Sequence, residues 1–282
     1  MSGFRLALCN ELFERVPFGK ACEQINSLGY RGLEIAPFTL SNDPASLSAE
    51  QRREFRQLME DANLEFVGLH WILAAPAGLH VTTPNKAVRE RSWAYVRELV
   101  DLCADLAGVE ADNKGVMVFG SPRQRCTVDG MTSREATAIF SHELAGIAPH
   151  AEARGVTILI EALPENQCDV INSIEEAVAI VQEIGSPAVR TMFDTHNAVD
   201  EREEHASIIR KQHAFIRHVH VNETDGREPG MGNYNFQAIF QALADCGYAG
   251  WVSVEVFDFS RDAEQVAQRA RLSLEAAASK IL

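Results

Sequence analysis

Three carboxylates and a pair of histidines are spaced as if to act together. The stretch 216–223 reads Ile-Arg-His-Val-His-Val-Asn-Glu, short, β-branched and alternating, which is the pattern of a strand. Successive strand side chains point to opposite faces, so His218 and His220 share one face while Arg217, Val219 and Val221 share the other. Three more strand-like runs end on an acid: 157–161 on Glu161, 190–194 on Asp194 and 251–255 on Glu255. The steps from Glu161 to Asp194, His220 and Glu255 are 33, 26 and 35 residues, each about one strand–helix unit. A lone acid at a strand end is ordinarily solvated, and a lone strand histidine ordinarily belongs to the core. Four such residues in phase on consecutive units point instead to a metal site.

Three carboxylates and one imidazole, with no thiol, form an oxygen-rich donor set. It suits one divalent cation, Mn²⁺ or Mg²⁺ first, with Co²⁺, Fe²⁺ or Zn²⁺ also within its range. Packed together without a counter-charge these groups would be very costly, and a divalent ion removes that cost.

The elements that must carry them alternate from end to end. Strand-like runs at 4–9, 31–35, 65–70 and 115–119 precede the four already named, and a helical pattern follows each. Ser48 with Gln51, and Ser173 with Glu176, read as capping boxes, and Gly29, Gly155, Gly185 and Gly247 stand where helices stop. A long loop at 71–85 and another at 120–125 follow strands three and four, at the same end as the acids. Eight strand–helix units with no break in composition predict one domain over residues 1–282, an α/β chain closed as a single (β/α)₈ TIM barrel. In strands five, six and eight the face bearing the acid suits the barrel interior, and the apolar face suits the helix layer.

Composition narrows the function. With 26 basic and 40 acidic residues the chain carries a net charge of −14, which argues against a nucleic-acid surface. A small anionic substrate held by Arg123 or Arg125 remains compatible with it. The six cysteines are scattered without a Cys-x-x-Cys pair, as in a reducing compartment. With no charged-then-apolar leader and no apolar run of spanning length, the expectation is a cytoplasmic protein, not a membrane one. A homo-oligomer is compatible with all of this. His80 and His205 read as solvated, and Trp71 and Phe257 as candidate walls of a pocket beside the strand ends.

Five motifs resemble the xylose isomerase-like barrel superfamily, in particular its sugar isomerase and epimerase branch. They are Ile160-Glu161-Ala-Leu-Pro, Asp194-Thr-His-Asn197, His218-Val-His-Val-Asn-Glu223, Pro229-Gly-Met-Gly232 and Ser253-Val-Glu255. The resemblance implies that Glu161, Asp194, His220 and Glu255 bind one divalent metal and that the two glutamates form an acid/base pair. It also implies that His70, Glu34 and either His196 or Asn197 face a carbohydrate substrate. The branch's second glutamate after strand five reads Gln167 here, and its substrate arginine falls at Gly226, which leaves the neighbouring Arg227 as the expected substrate contact. The implied chemistry is proton transfer next to a carbonyl through an enediolate. Its outcome is epimerisation, aldose–ketose isomerisation, or, by expulsion of a β-hydroxyl, dehydration of an oxidised sugar or cyclitol. A DNA-repair endonuclease of the superfamily would need more histidines, one of them on strand four, which ends Phe119-Gly-Ser-Pro. A non-catalytic subunit is disfavoured because all four ligands are present.

Overall fold

A computed structural model describes residues 4–108 and 114–281. Its strands are β1 (Arg5–Cys9), β2 (Gly32–Ile35), β3 (Glu65–Leu69), β4 (Val116–Phe119), β5 (Thr157–Ile160), β6 (Val189–Asp194), β7 (Ile216–Val221) and β8 (Trp251–Val254). All pair in parallel in chain order, and β8 closes on β1. Between and after them run α1 (Phe18–Ser27), α2 (Ala49–Asp61), α3 (Lys86–Ala107), α4 (Pro122–Arg125), α5 (Ser133–Arg154), α6 (Ile174–Ile184), α7 (His205–Gln212), α8 (Phe236–Asp245) and α9 (Ala263–Ala278). The predicted barrel is the observed one.

Local chemistry explains most helix ends. Ser48 and Gln51 form a reciprocal capping box on α2, as Thr132 and Glu135 do on α5. At α6 only half of the expected box forms. Ser173 accepts from the Glu176 amide, but the Glu176 carboxylate reaches past it to the Asn172 amide at 2.7 Å. Gly155 and Gly185 end α5 and α6 in the left-handed conformation.

The core has two layers, as strand alternation requires. Val116, Val118, Leu159 and Met192 pack together inside the barrel. Ile158, Ile160, Phe193, Val219, Val221 and Val254 join the larger cluster shared with the helices. Gly68 lets β3 approach β4, since a Cβ there would overlap the Val116 carbonyl. Strand register shifts at two places, between Leu33 and Glu34 and between Thr191 and Phe193. Both irregularities fall next to site residues, where such bulges re-aim side chains.

The segment 120–125 departs from the loop expected there. Pro122 to Arg125 form the short α4, which turns Arg125 into the protein. That side chain is fully buried, its Nη1 donating to the Phe119 and Glu161 carbonyls at 2.8 and 2.9 Å. Arg125 therefore ties β4 to the residue after β5 and is withdrawn from any substrate anion. Arg123 stays exposed.

Candidate active site

Asp194 closes β6, and the chain turns back on its carboxylate. Oδ1 accepts from the amides of His196 and Asn197 at 2.6 and 2.9 Å. Oδ2 is buried and has no hydrogen-bond partner among the described residues. Glu161 follows β5 directly, with Oε1 held by Asn197 Nδ2 at 3.0 Å. Its Oε2 lies over Gly120, where a Cβ would overlap it, so any side chain at that corner would push the carboxylate aside. Glu255 follows β8. Its Oε1 accepts from the Trp71 indole at 2.7 Å, and its Oε2 lies 3.0 Å from His220 Nδ1.

His220 joins these groups at the end of β7. Its Nδ1 also lies 3.6 Å from Asp194 Oδ2 and 4.0 Å from Glu161 Oε1. One donor atom from each of Glu161, Asp194, His220 and Glu255 falls within 4.8 Å of the others, and all four side chains are buried. The orphaned Asp194 oxygen needs a partner at that point, and a divalent cation fits a set of three carboxylates and one imidazole.

Electrostatics express the same crowding. Burial, then Glu255 and Asp194, raise Glu161 to about 8. Burial pulls His220 down, but Glu34 and Glu255 lift it well above the ordinary imidazole value. In the same way burial opposes protonation of His70, and Glu11 at 2.7 Å carries it to about 9.

Above the cluster lies a cavity of about 420 Å³, lined among others by Trp71, Arg123, Gln167, Asn197 and Phe257. The rings of Trp71 and Phe257 stack at 6.0 Å with 12° between planes, making one wall. Asn197 faces both the cavity and Glu161. His196 stands behind it, bonded to the Thr224 carbonyl at 2.8 Å and 3.3 Å from Gln167 Nε2, with its ring against Phe257.

Three residues expected to face a substrate lie elsewhere. Glu34 and His70 are fully buried beneath the acids and are not among the cavity-lining residues. Glu34 has both oxygens taken by His218 and His220, and His70 is turned to Glu11. Arg227 is drawn into a pair with Asp225 at 2.6 Å, also outside that lining. His205 is not simply solvated. It is half-buried, bonded to Tyr234 Oη and to the Ala198 carbonyl, where it pins the turn after Asp194.

Residues 22–277 match the family described as the xylose isomerase-like TIM barrel. The chain belongs to that family. A D-psicose 3-epimerase from Ruminiclostridium cellulolyticum is 33% identical over 235 residues, 83% of this chain and 76% of its own length. An L-ribulose 3-epimerase from Mesorhizobium japonicum is 29% identical over 192 residues, 68% of this chain, and the match spans only 62% of that relative. Among solved structures, D-psicose 3-epimerase with D-tagatose from Clostridium cellulolyticum superposes with a TM-score of 0.84. It is 20% identical, over 98% of this chain and 99% of that one.

Two features of this family member escaped the sequence reading. Glu11 is buried against His70, and its place two residues past the end of β1, an acid just beyond a strand, was the available signal. Trp71 was read as a wall, whereas its indole N–H also anchors Glu255, a contact between positions 184 residues apart.

Proposed function

We propose that the chain is a divalent-metal-dependent sugar epimerase or isomerase, acting by proton transfer next to a carbonyl through an enediolate. The observation that carries this reading is the convergence of Glu161, Asp194, His220 and Glu255 from four consecutive strands on one buried point with an orphaned Asp194 oxygen. Those four residues would hold the ion, Mn²⁺ or Mg²⁺ by the hardness of the set. When bound, it supplies charge stabilisation for the developing enediolate.

The chain's own groups supply the rest. Glu161 takes the proton from one face of the substrate carbon, and Glu255 returns one on the opposite face, which inverts that carbon. Asn197 holds the first carboxylate and Trp71 the second, so each offers a fixed oxygen. Trp71 and Phe257 give the sugar an apolar wall, and a cavity of about 420 Å³ suits a free monosaccharide. If one glutamate served both transfers on one face, the product would be the aldose instead.

One domain over residues 1–282 would suffice for this chemistry. Six free cysteines fit a reducing cytoplasm, and no helix among the described residues is long and apolar enough to cross a membrane. A panel of ketoses incubated with metal-stripped and Mn²⁺-loaded protein tests the reading. Interconversion of a ketose with its epimer or aldose is expected only with the ion. Failure to bind Mn²⁺ or Mg²⁺ at saturating concentration, or no turnover of any ketose when loaded, would refute it.

A further inference from the structure

Glu34 is fully buried below the acidic cluster, at the β2 register shift. Its Oε1 is 3.0 Å from His220 Nε2 and its Oε2 is 2.7 Å from His218 Nε2. These two imidazoles sit two residues apart on one face of β7, so a single carboxylate spans both. A carboxylate has no hydrogen to give, so each histidine must present an Nε2–H to it. For His220 this leaves Nδ1 as the nitrogen turned towards Glu255, Asp194 and Glu161.

We infer that Glu34 is a positioning residue for His220, holding its ring with Nε2 protonated so that Nδ1 can serve as the metal donor. The inference rests on the metal reading of the cluster given above. It separates Glu34 from the substrate, which its burial and its two filled oxygens already remove from reach. Carboxylates bonded to the far nitrogen of a ligating imidazole fix both tautomer and ring orientation.

Glu34→Gln tests it. The amide keeps the size but offers one acceptor oxygen, two N–H donors and no charge, so one histidine loses its acceptor. Mn²⁺ affinity, measured by chelator competition, is expected to fall roughly 10–100-fold. At saturating metal the KM for the ketose should stay unchanged. Glu34→Asp, which keeps both acceptors on a shorter arm, should recover part of the affinity. Nitrogen-15 histidine spectra of the Mg²⁺-loaded wild type should show His220 protonated at Nε2 and not at Nδ1, a readout that survives even if the Gln variant fails to fold. A proton on Nδ1 of His220 in that state would overturn the inference. So would wild-type Mn²⁺ affinity in Glu34→Gln, or a raised KM with unchanged metal affinity, which marks a substrate contact. If the wild type itself takes up no divalent ion, the metal reading fails and this inference with it. If the wild type binds and Glu34→Gln binds equally well, only the role of Glu34 fails.

Discussion

The indole N–H of Trp71 donates to Oε1 of Glu255 at 2.7 Å, on the side of that carboxylate away from His220. Trp71 holds this position with φ of 49°, a left-handed backbone that bulky residues seldom adopt. Stacking on Phe257 and the bond to Glu255 offset that strain. One side chain therefore both walls the cavity and orients a proton carrier.

Trp71→Phe separates the two roles, since it keeps a ring and removes the N–H. A hydrogen bond to a charged group is worth about 1.5–3 kcal/mol, so kcat should fall on the order of 10–100-fold with little change in KM. Trp71→Ala should raise KM as well. Steady-state kinetics on the ketose decides, and an unchanged kcat in Trp71→Phe would remove the orienting role.

Gly120→Ala should act on Glu161 without touching its chemistry. The new methyl would overlap Oε2, so the carboxylate must swing off the cluster. With three ligands left, Mn²⁺ affinity should drop by roughly 10-fold or more while the barrel stays folded. Titration with Mn²⁺ alongside far-ultraviolet circular dichroism checks this, and wild-type affinity would show that Glu161 does not need its present place.

In the metal-free protein stability should fall as pH rises above about 4.5 and go on falling to about 9. Glu161, raised by burial to about 8, keeps in the folded state a proton that the unfolded chain sheds near 4.5. His70, carried to about 9 by Glu11 against burial, gives stabilisation that is full below its unfolded value of 6.5 and lost as pH passes through 9. Both groups act in the same direction. Thermal melts of stripped protein should show Tm declining between pH 6.5 and 9, and a flat or rising Tm would contradict the assignment.

Duplex DNA should not be retained at moderate salt. The net charge of −14 supplies no field for phosphates, and binding of that kind depends on releasing counterions from basic contacts. Cleavage of abasic-site DNA at an enzyme-like rate would restore the endonuclease reading.

Much of this arrangement was legible in the sequence because barrel geometry ties chain spacing to space. Residues at the ends of Thr157–Ile160, Val189–Asp194, Ile216–Val221 and Trp251–Val254 must meet at one rim, so Glu161, Asp194, His220 and Glu255 could be grouped from their intervals alone. What lies around them could not. Whether Glu34 meets a substrate or a histidine depends on the register shift beside it, which leaves no periodic mark. Arg125 gave no sign of burial, because a short turn of helix after Ser121, itself at φ of 48°, decides where it points. Arg227 sits one position from the family arginine, and a neighbouring Asp225 was enough to claim it.

The most direct test of the proton-transfer account is deuterium incorporation from D₂O into the ketose by Mn²⁺-loaded wild type, Glu161→Gln and Glu255→Gln. Each amide keeps an oxygen for the ion and loses the ionisable group, so metal binding should weaken modestly. Turnover should fall by roughly 10² or more, the scale of lost general acid–base catalysis. The wild type should place one solvent deuteron on the inverted carbon. In a given reaction direction, the variant lacking only the returning group should still exchange the substrate proton, and the variant lacking the abstracting group should lose both exchange and product. Near-normal turnover in both variants with metal bound, or epimer formed by the wild type without solvent deuterium, would exclude proton transfer by Glu161 and Glu255.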